Sequence, residues 1–179
     1  MNQNDNNTMQ TTTSVKLYSL AYDRAKTYWT AAGFVLGNIA VPHLFHLVPQ
    51  GGAVWLPIYL FTLVGAYKYG WRPGLLIAVA SPVANSLLFG MPPAAALPAV
   101  LLKSVLLAIF AGIAAARLRK ATWWSMLAVV AAYQIVGTLG EWAIRGELLP
   151  ALQDFRMGVP GMLLQVFGGW GIIHYLIRK

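Results

Sequence analysis

The sequence predicts an all-α integral membrane protein of six transmembrane helices with both termini in the cytoplasm. Three observations predict it. Of 179 residues, 58% are hydrophobic and 10% are charged, where a soluble domain carries about a quarter charged residues. The apolar residues fall into six runs near the length needed to cross a bilayer. The basic residues collect in alternate loops between those runs. No cysteine is present, which excludes a disulfide scaffold and a cysteine-ligated metal. The net charge of +8 does not point to nucleic acid, because that partner needs a solvated basic face and most of this chain is too apolar to supply one.

Residues 1–15 are Asn, Gln and Thr with almost nothing to bury and read as a disordered polar tail. They lack the basic and apolar regions of a secretory signal, so no cleavage is expected. Residues 16–28 carry Leu17, Leu20 and Ala21 beside Asp23, Arg24 and Lys26. They fit either a short interfacial helix or a simple linker. The membrane domain then runs from 29 to 179.

Its six segments are 29–47, 54–69, 74–89, 94–116, 123–144 and 158–177. A hydrocarbon core of about 30 Å takes about 20 helical residues. The second and third are shorter, so they either form a hairpin that does not quite span or are extended by flanking aromatics. Trp55, Tyr67, Tyr69, Trp71, Trp123 and Trp124 lie where an aromatic belt would place them. No repeat relates the two halves, which argues against an inverted-repeat transporter.

Orientation follows from the bases. Lys16, Arg24 and Lys26 precede the first span, and Lys68 and Arg72 separate the second from the third. Arg117, Arg119 and Lys120 separate the fourth from the fifth, and Arg178 and Lys179 end the chain. Across the membrane, Arg145 and Arg156 are balanced by Glu147 and Asp154. The positive-inside rule makes the first set cytoplasmic, and an even number of spans is self-consistent with it.

Polar groups inside a bilayer are costly and usually face a cavity or a partner. Here they converge on the outer half. Asn85 lies in the outer part of the third span, and Lys103 lies about nine residues into the fourth. Gln134, Thr138 and Glu141 form one stripe of the fifth at i, i+4 and i+7, and Gln165 lies about seven residues into the sixth. That distribution predicts a pocket open to the outside. Lys103 and Glu141 either neutralise each other or orient a polar or anionic ligand. His43 and His46 are spaced to face one way on a helix, but Pro42 and Pro49 bracket them and no carboxylate is near in sequence. A ligand-lining or interfacial role suits them better than a metal site. The chain has no GxSxG, HExxH, P-loop or GxGxxG motif. Neither catalysis nor a bound cofactor or metal is expected.

The inner half carries small residues: Gly33 and Gly37 in the first span, and Ala111, Gly112, Ala114, Ala115 and Ala116 in the fourth. Small residues at this spacing let another backbone approach closely, either a partner subunit's or one within the bundle.

The stretch 38–112 reads NIAVPHLFHLVPQGGAVWLPIYLFTLVGAYKYGWRPGLLIAVASPVANSLLFGMPPAAALPAVLLKSVLLAIFAG. A Pro-His segment ends the first helix, a Gly-Gly loop leads into Trp-Leu-Pro, and a Gly-Met-Pro-Pro loop follows the third helix. This resembles the substrate-binding S components of energy-coupling factor vitamin transporters. The likeness covers roughly the first four spans, and size and six-helix layout agree over the whole chain. It implies a small subunit of a bacterial or archaeal cytoplasmic membrane that binds a vitamin or related micronutrient from outside. It implies partners too: a transmembrane coupling protein and two cytoplasmic ATPases, with transport by toppling of the subunit in the bilayer. The family's pocket regions match Gly51, Gly52, Trp55, Lys103, Gln134, Glu141 and Gln165. Gly33 and Gly37 resemble the small-residue pattern that docks the coupling protein. Relatives often carry Glu where Lys103 stands. A cation there favours a carboxylate or phosphate, such as that of pantothenate, with cobalamin and pyridoxine-like compounds still open. Two other classes compete: a membrane structural or assembly subunit without ligand, and an integral membrane enzyme acting on lipid. The enzyme would need several acids near an interface, and within the spans only Glu141 is available.

Overall fold

The computed structural model describes residues 17–45 and 49–176. The polar tail 1–15, Lys16, His46, Arg178 and Lys179 lie outside the described residues. Among the described residues the structure is helical and contains no strand. The long elements are α1 Ala25–Phe45, α4 Trp71–Phe89, α5 Leu97–Leu118 and α6 Trp123–Arg145. Between α1 and α4 lie α2 Gly51–Trp55, a single turn Pro57–Tyr59 and α3 Leu60–Tyr69. After α6 come α7 Leu148–Ala151, α8 Gln153–Met157 and α9 Val159–Leu163. The chain stays helical beyond α9, widening to π pitch over Leu164–Gly168 and Ile172–Leu176.

Local sequence explains the boundaries. Gly70, Gly90 and Gly146 take positive φ at the ends of α3, α4 and α6, the conformation that closes a helix without a side-chain penalty. At the start of α6, Thr122 Oγ1 accepts from Ser125 N at 3.1 Å, while Thr122 N donates to Ser125 Oγ at 3.0 Å. This reciprocal cap satisfies two otherwise orphaned donors.

Three helices, α4, α5 and α6, are long and apolar enough to cross a membrane. α4 reaches that length because it begins at Trp71, earlier than the apolar run alone suggests. α1 matches them in length, but Lys26, Asn38, His43, two threonines and two glycines in its sequence lower its hydropathy. Exposed Leu36, Leu87, Leu88, Ile135, Leu139 and Phe167 give the outer surface an apolar band that suits lipid better than water.

Two expectations change. The 54–69 segment is not one helix. It breaks at Leu56, which sits at φ 45° in the left-handed region, uncommon for a residue with a branched side chain. Beyond the break α3 has ten residues, and Leu63, Val64, Ala66, Tyr67 and Lys68 on it are fully buried. It is short and apolar nearly all round because α1, α4 and α5 surround it. The interfacial helix considered for 16–28 is also not formed over 17–24, and α1 starts at Ala25. Instead this strap satisfies its backbone on the end of α3: Tyr18 N donates to Lys68 O at 2.8 Å and Leu20 N to Tyr69 O at 3.0 Å.

The two ends of the bundle differ in charge. One gathers the starts of α1, α4 and α6 with the ends of α3 and α5. Tyr67 Oη there donates to Lys120 O at 2.6 Å, and Gly112 meets Trp71 so closely that an added Cβ would lie 2.5 Å from its Cβ. This end holds Arg24, Lys26, Lys68, Arg72, Arg117, Arg119 and Lys120 against Asp23. The other end brings together α2, α7, α8, the end of α6 and the start of α5, with bases and acids in balance.

Candidate functional site

A cavity of about 450 Å³ opens at the charge-balanced end, within the usual size of small-molecule sites. Its walls are mostly apolar: Pro42, Leu56, Pro57, Ile58, Met91, Pro92, Ala99 and Val100 take part. Lys103, Glu141, Arg145 and Asp154 gather on its lining.

The charges form one network. Lys103 Nζ lies 2.6 Å from Glu141 Oε2 and 2.7 Å from Asp154 Oδ2. Arg145 Nε lies 3.0 Å from Glu141 Oε1, one turn along α6. The Lys103 side chain is only 4% exposed and Glu141 8%, against 16% for Asp154 and 33% for Arg145. Two bases and two acids sum to zero, which is what makes such burial tolerable. Gly137 helps to place them. A Cβ on it would sit 2.7 Å from Lys103 Cγ, so the lysine stem crosses α6 where α6 has no side chain.

A second network holds the wall opposite. Asn85 Nδ2 donates to Asn38 O and Ser81 O, both at 2.9 Å. Asn38 Nδ2 donates to Thr62 Oγ1 and Ser81 Oγ, both at 3.1 Å. These bonds tie α1, α3 and α4 together. They commit the donors of Asn85, which leaves its carbonyl oxygen as the group it can still offer.

The predicted site residues therefore divide. Gly52, Asn85, Lys103 and Glu141 line the cavity, and so does His43. Gly51 does not. It allows α2 to cross the end of α1, where an added Cβ would be 1.9 Å from Phe45 O. Trp55 also lies off the cavity, its ring packed on Phe45 with centroids 5.5 Å apart. Gln134, Thr138 and Gln165 are buried but do not reach the lining. Gln165 Oε1 accepts from Tyr133 Oη at 2.8 Å. Both polar side-chain atoms of Gln134, Thr138 Oγ1 and Gln165 Nε2 have no hydrogen-bond partner among the described residues. Gly37 packs within the bundle against the Phe61 ring at 3.3 Å, whereas a Cβ on Gly33 would meet nothing within 4 Å. Only Gly33 of that pair leaves an open surface.

Asp154 is the main residue that sequence reasoning assigned elsewhere. It was expected to balance the outer loop charges, and it instead pairs with Lys103. Leu56 and Gly161 were also missed. A Cβ on Gly161 would lie 2.4 Å from the carbonyl of Trp55, so α9 supports the break that lets Leu56 line the cavity. Pro57 was the available signal, since a proline disfavours helix at the residue before it.

Among the described residues no group of three His, Cys, Asp or Glu could hold a metal ion. No family model, curated protein or solved structure matches the chain.

Proposed function

We propose that this chain is the substrate-capture subunit of a vitamin uptake system of the energy-coupling factor type. The observation that carries the reading is the cavity: apolar walls, about 450 Å³, and one buried charge network on its lining. A small organic molecule with one polar or charged end matches that combination.

In this reading six passes cross the bilayer. They are α1, the composite of α2, the Pro57–Tyr59 turn and α3, then α4, α5, α6, and the helical run 159–176. The basic end faces the cytoplasm with both termini, and the cavity opens outside. Open Gly33 on α1 contributes to docking on a transmembrane coupling protein, which two ATPases drive. A ligand-free assembly subunit would pair Lys103 and Glu141 as well, but its packing would close the space beside them, and here that space is open. The test is a binding screen. The protein, purified in lipid nanodiscs, is examined by native mass spectrometry for a co-purified small molecule and by thermal shift against the water-soluble vitamins. One ligand of this panel binding tightly at one per chain is the expected result. No co-purified molecule and no response to any vitamin would sink the reading.

A further inference from the structure

The ion pairs around Lys103 differ in how easily they can be given up. Glu141 stands on the 23-residue helix α6 and is held by two bases, Lys103 and Arg145. Among the described residues Asp154 has one ion-pair partner, Lys103. It stands on α8, a helix of five residues none of which is buried. Moving α8 costs little packing, because segments with few buried contacts open most readily. Moving Glu141 would disturb α6 and strand Arg145.

Charge balance says what can replace Asp154. With all four groups in place the network is neutral. Without Asp154 it carries one net positive charge, centred on a lysine that is almost fully buried. A ligand with one negative charge restores neutrality. A second anion added beside Glu141 and Asp154 would meet two like charges in a poorly solvated site. We propose that the cavity takes a ligand bearing a single carboxylate, and that Asp154 holds the place of that carboxylate on Lys103 until the ligand arrives. Binding then exchanges one carboxylate for another and frees α8 from Lys103. This inference rests on reading the cavity as a binding site.

The exchange can be tested without knowing the ligand. In the full-length protein in nanodiscs, Asp154→Ala should lower the melting temperature. Sodium acetate at tens of millimolar should restore it, while acetamide should not. Wild type should ignore both, and so should a Lys103→Met/Asp154→Ala double variant. If Asp154→Ala does not fold, Asp154→Asn carries the same titration. Acetate and acetamide acting alike would overturn the proposal. The second arm uses matched acid and neutral probes: pantothenate with panthenol, nicotinate with nicotinamide, and biotin with biotinamide. The acid of whichever pair binds should be favoured by roughly 10- to 100-fold, as for a charged hydrogen bond, and Asp154→Asn should tighten it further. A neutral probe binding as well as its acid, or Asp154→Asn weakening the acid, contradicts the exchange while leaving the cavity reading intact. Acetate rescue with no response to any vitamin sinks the vitamin reading and leaves the exchange standing.

Discussion

Each end of the bundle buries a lysine beside a concave surface, and the two are built differently. At the basic end Lys68 is fully buried on α3, with its Nζ 5.5 Å from the centre of the Tyr18 ring. The neighbouring groove, about 310 Å³, runs under the 17–20 strap over Gly70, Gly112, Ala115 and Ala116, and Arg119 is its charged residue. At the other end Lys103 meets two carboxylates at the lining of a cavity whose four charges cancel. Volume alone separates the ends poorly. Chemistry separates them well. Glycine and alanine bring backbones together at the basic end, whereas long-range ion pairs and a broken helix hold the walls of the cavity apart.

The sharpest way to break that contrast is to remove one charge from each end. Glu141→Ala leaves half-buried Arg145 without its carboxylate and takes one of two carboxylates from buried Lys103, so it should cost about 3 kcal/mol, the low end for breaking a buried pair, read by thermal or denaturant unfolding. Arg119→Ala, at the groove, should stay within about 0.5 kcal/mol of wild type. Equal losses would mean that the two sites are not organised differently. A smaller effect tests the close packing. Gly112→Ala would place a Cβ 2.9 Å from Trp71 Cα and 3.0 Å from its N. Backbone cannot yield as a side-chain tip can, so a loss of about 1–3 kcal/mol is expected, with ligand affinity unchanged. The smallest effect is at Gly33, where the space is open. Gly33→Ala should leave stability level or raise it by up to about 1 kcal/mol through helix propensity. If the proposed docking role is right, it should still reduce co-purification with a coupling subunit. Unchanged co-purification would remove Gly33 from the docking surface.

Much of the fold was legible because its signals are local. Long apolar runs marked α4, α5 and α6, and Thr122 and Gly146 mark where α6 begins and ends. The break at Leu56 was harder to see. An apolar run looks the same whether continuous or interrupted, and Pro57 was the one local sign. The site was legible to the depth that helical spacing can reach. Lys103 and Glu141 could be placed level with each other by counting residues from the helix ends. The stripe of Gln134, Thr138 and Glu141 does lie on a buried face of α6. It descends about 10 Å over those seven residues, so Glu141 lines the cavity and the other two lie off it. Asp154 could not be found in this way. It is 51 residues from Lys103, on a short segment that folds back over the bundle, and no periodicity records such a return.

The central claim is that the cavity at the charge-balanced end receives its ligand from outside the cell. The absence of native cysteine permits a direct test with one introduced thiol. Ala53 lies on the cavity lining, and Ala53→Cys can be exposed to a membrane-impermeant maleimide on intact cells. The account predicts labelling before the membrane is permeabilised, and slower labelling when the vitamin that binds the purified protein is present. Labelling that occurs only after permeabilisation would contradict it.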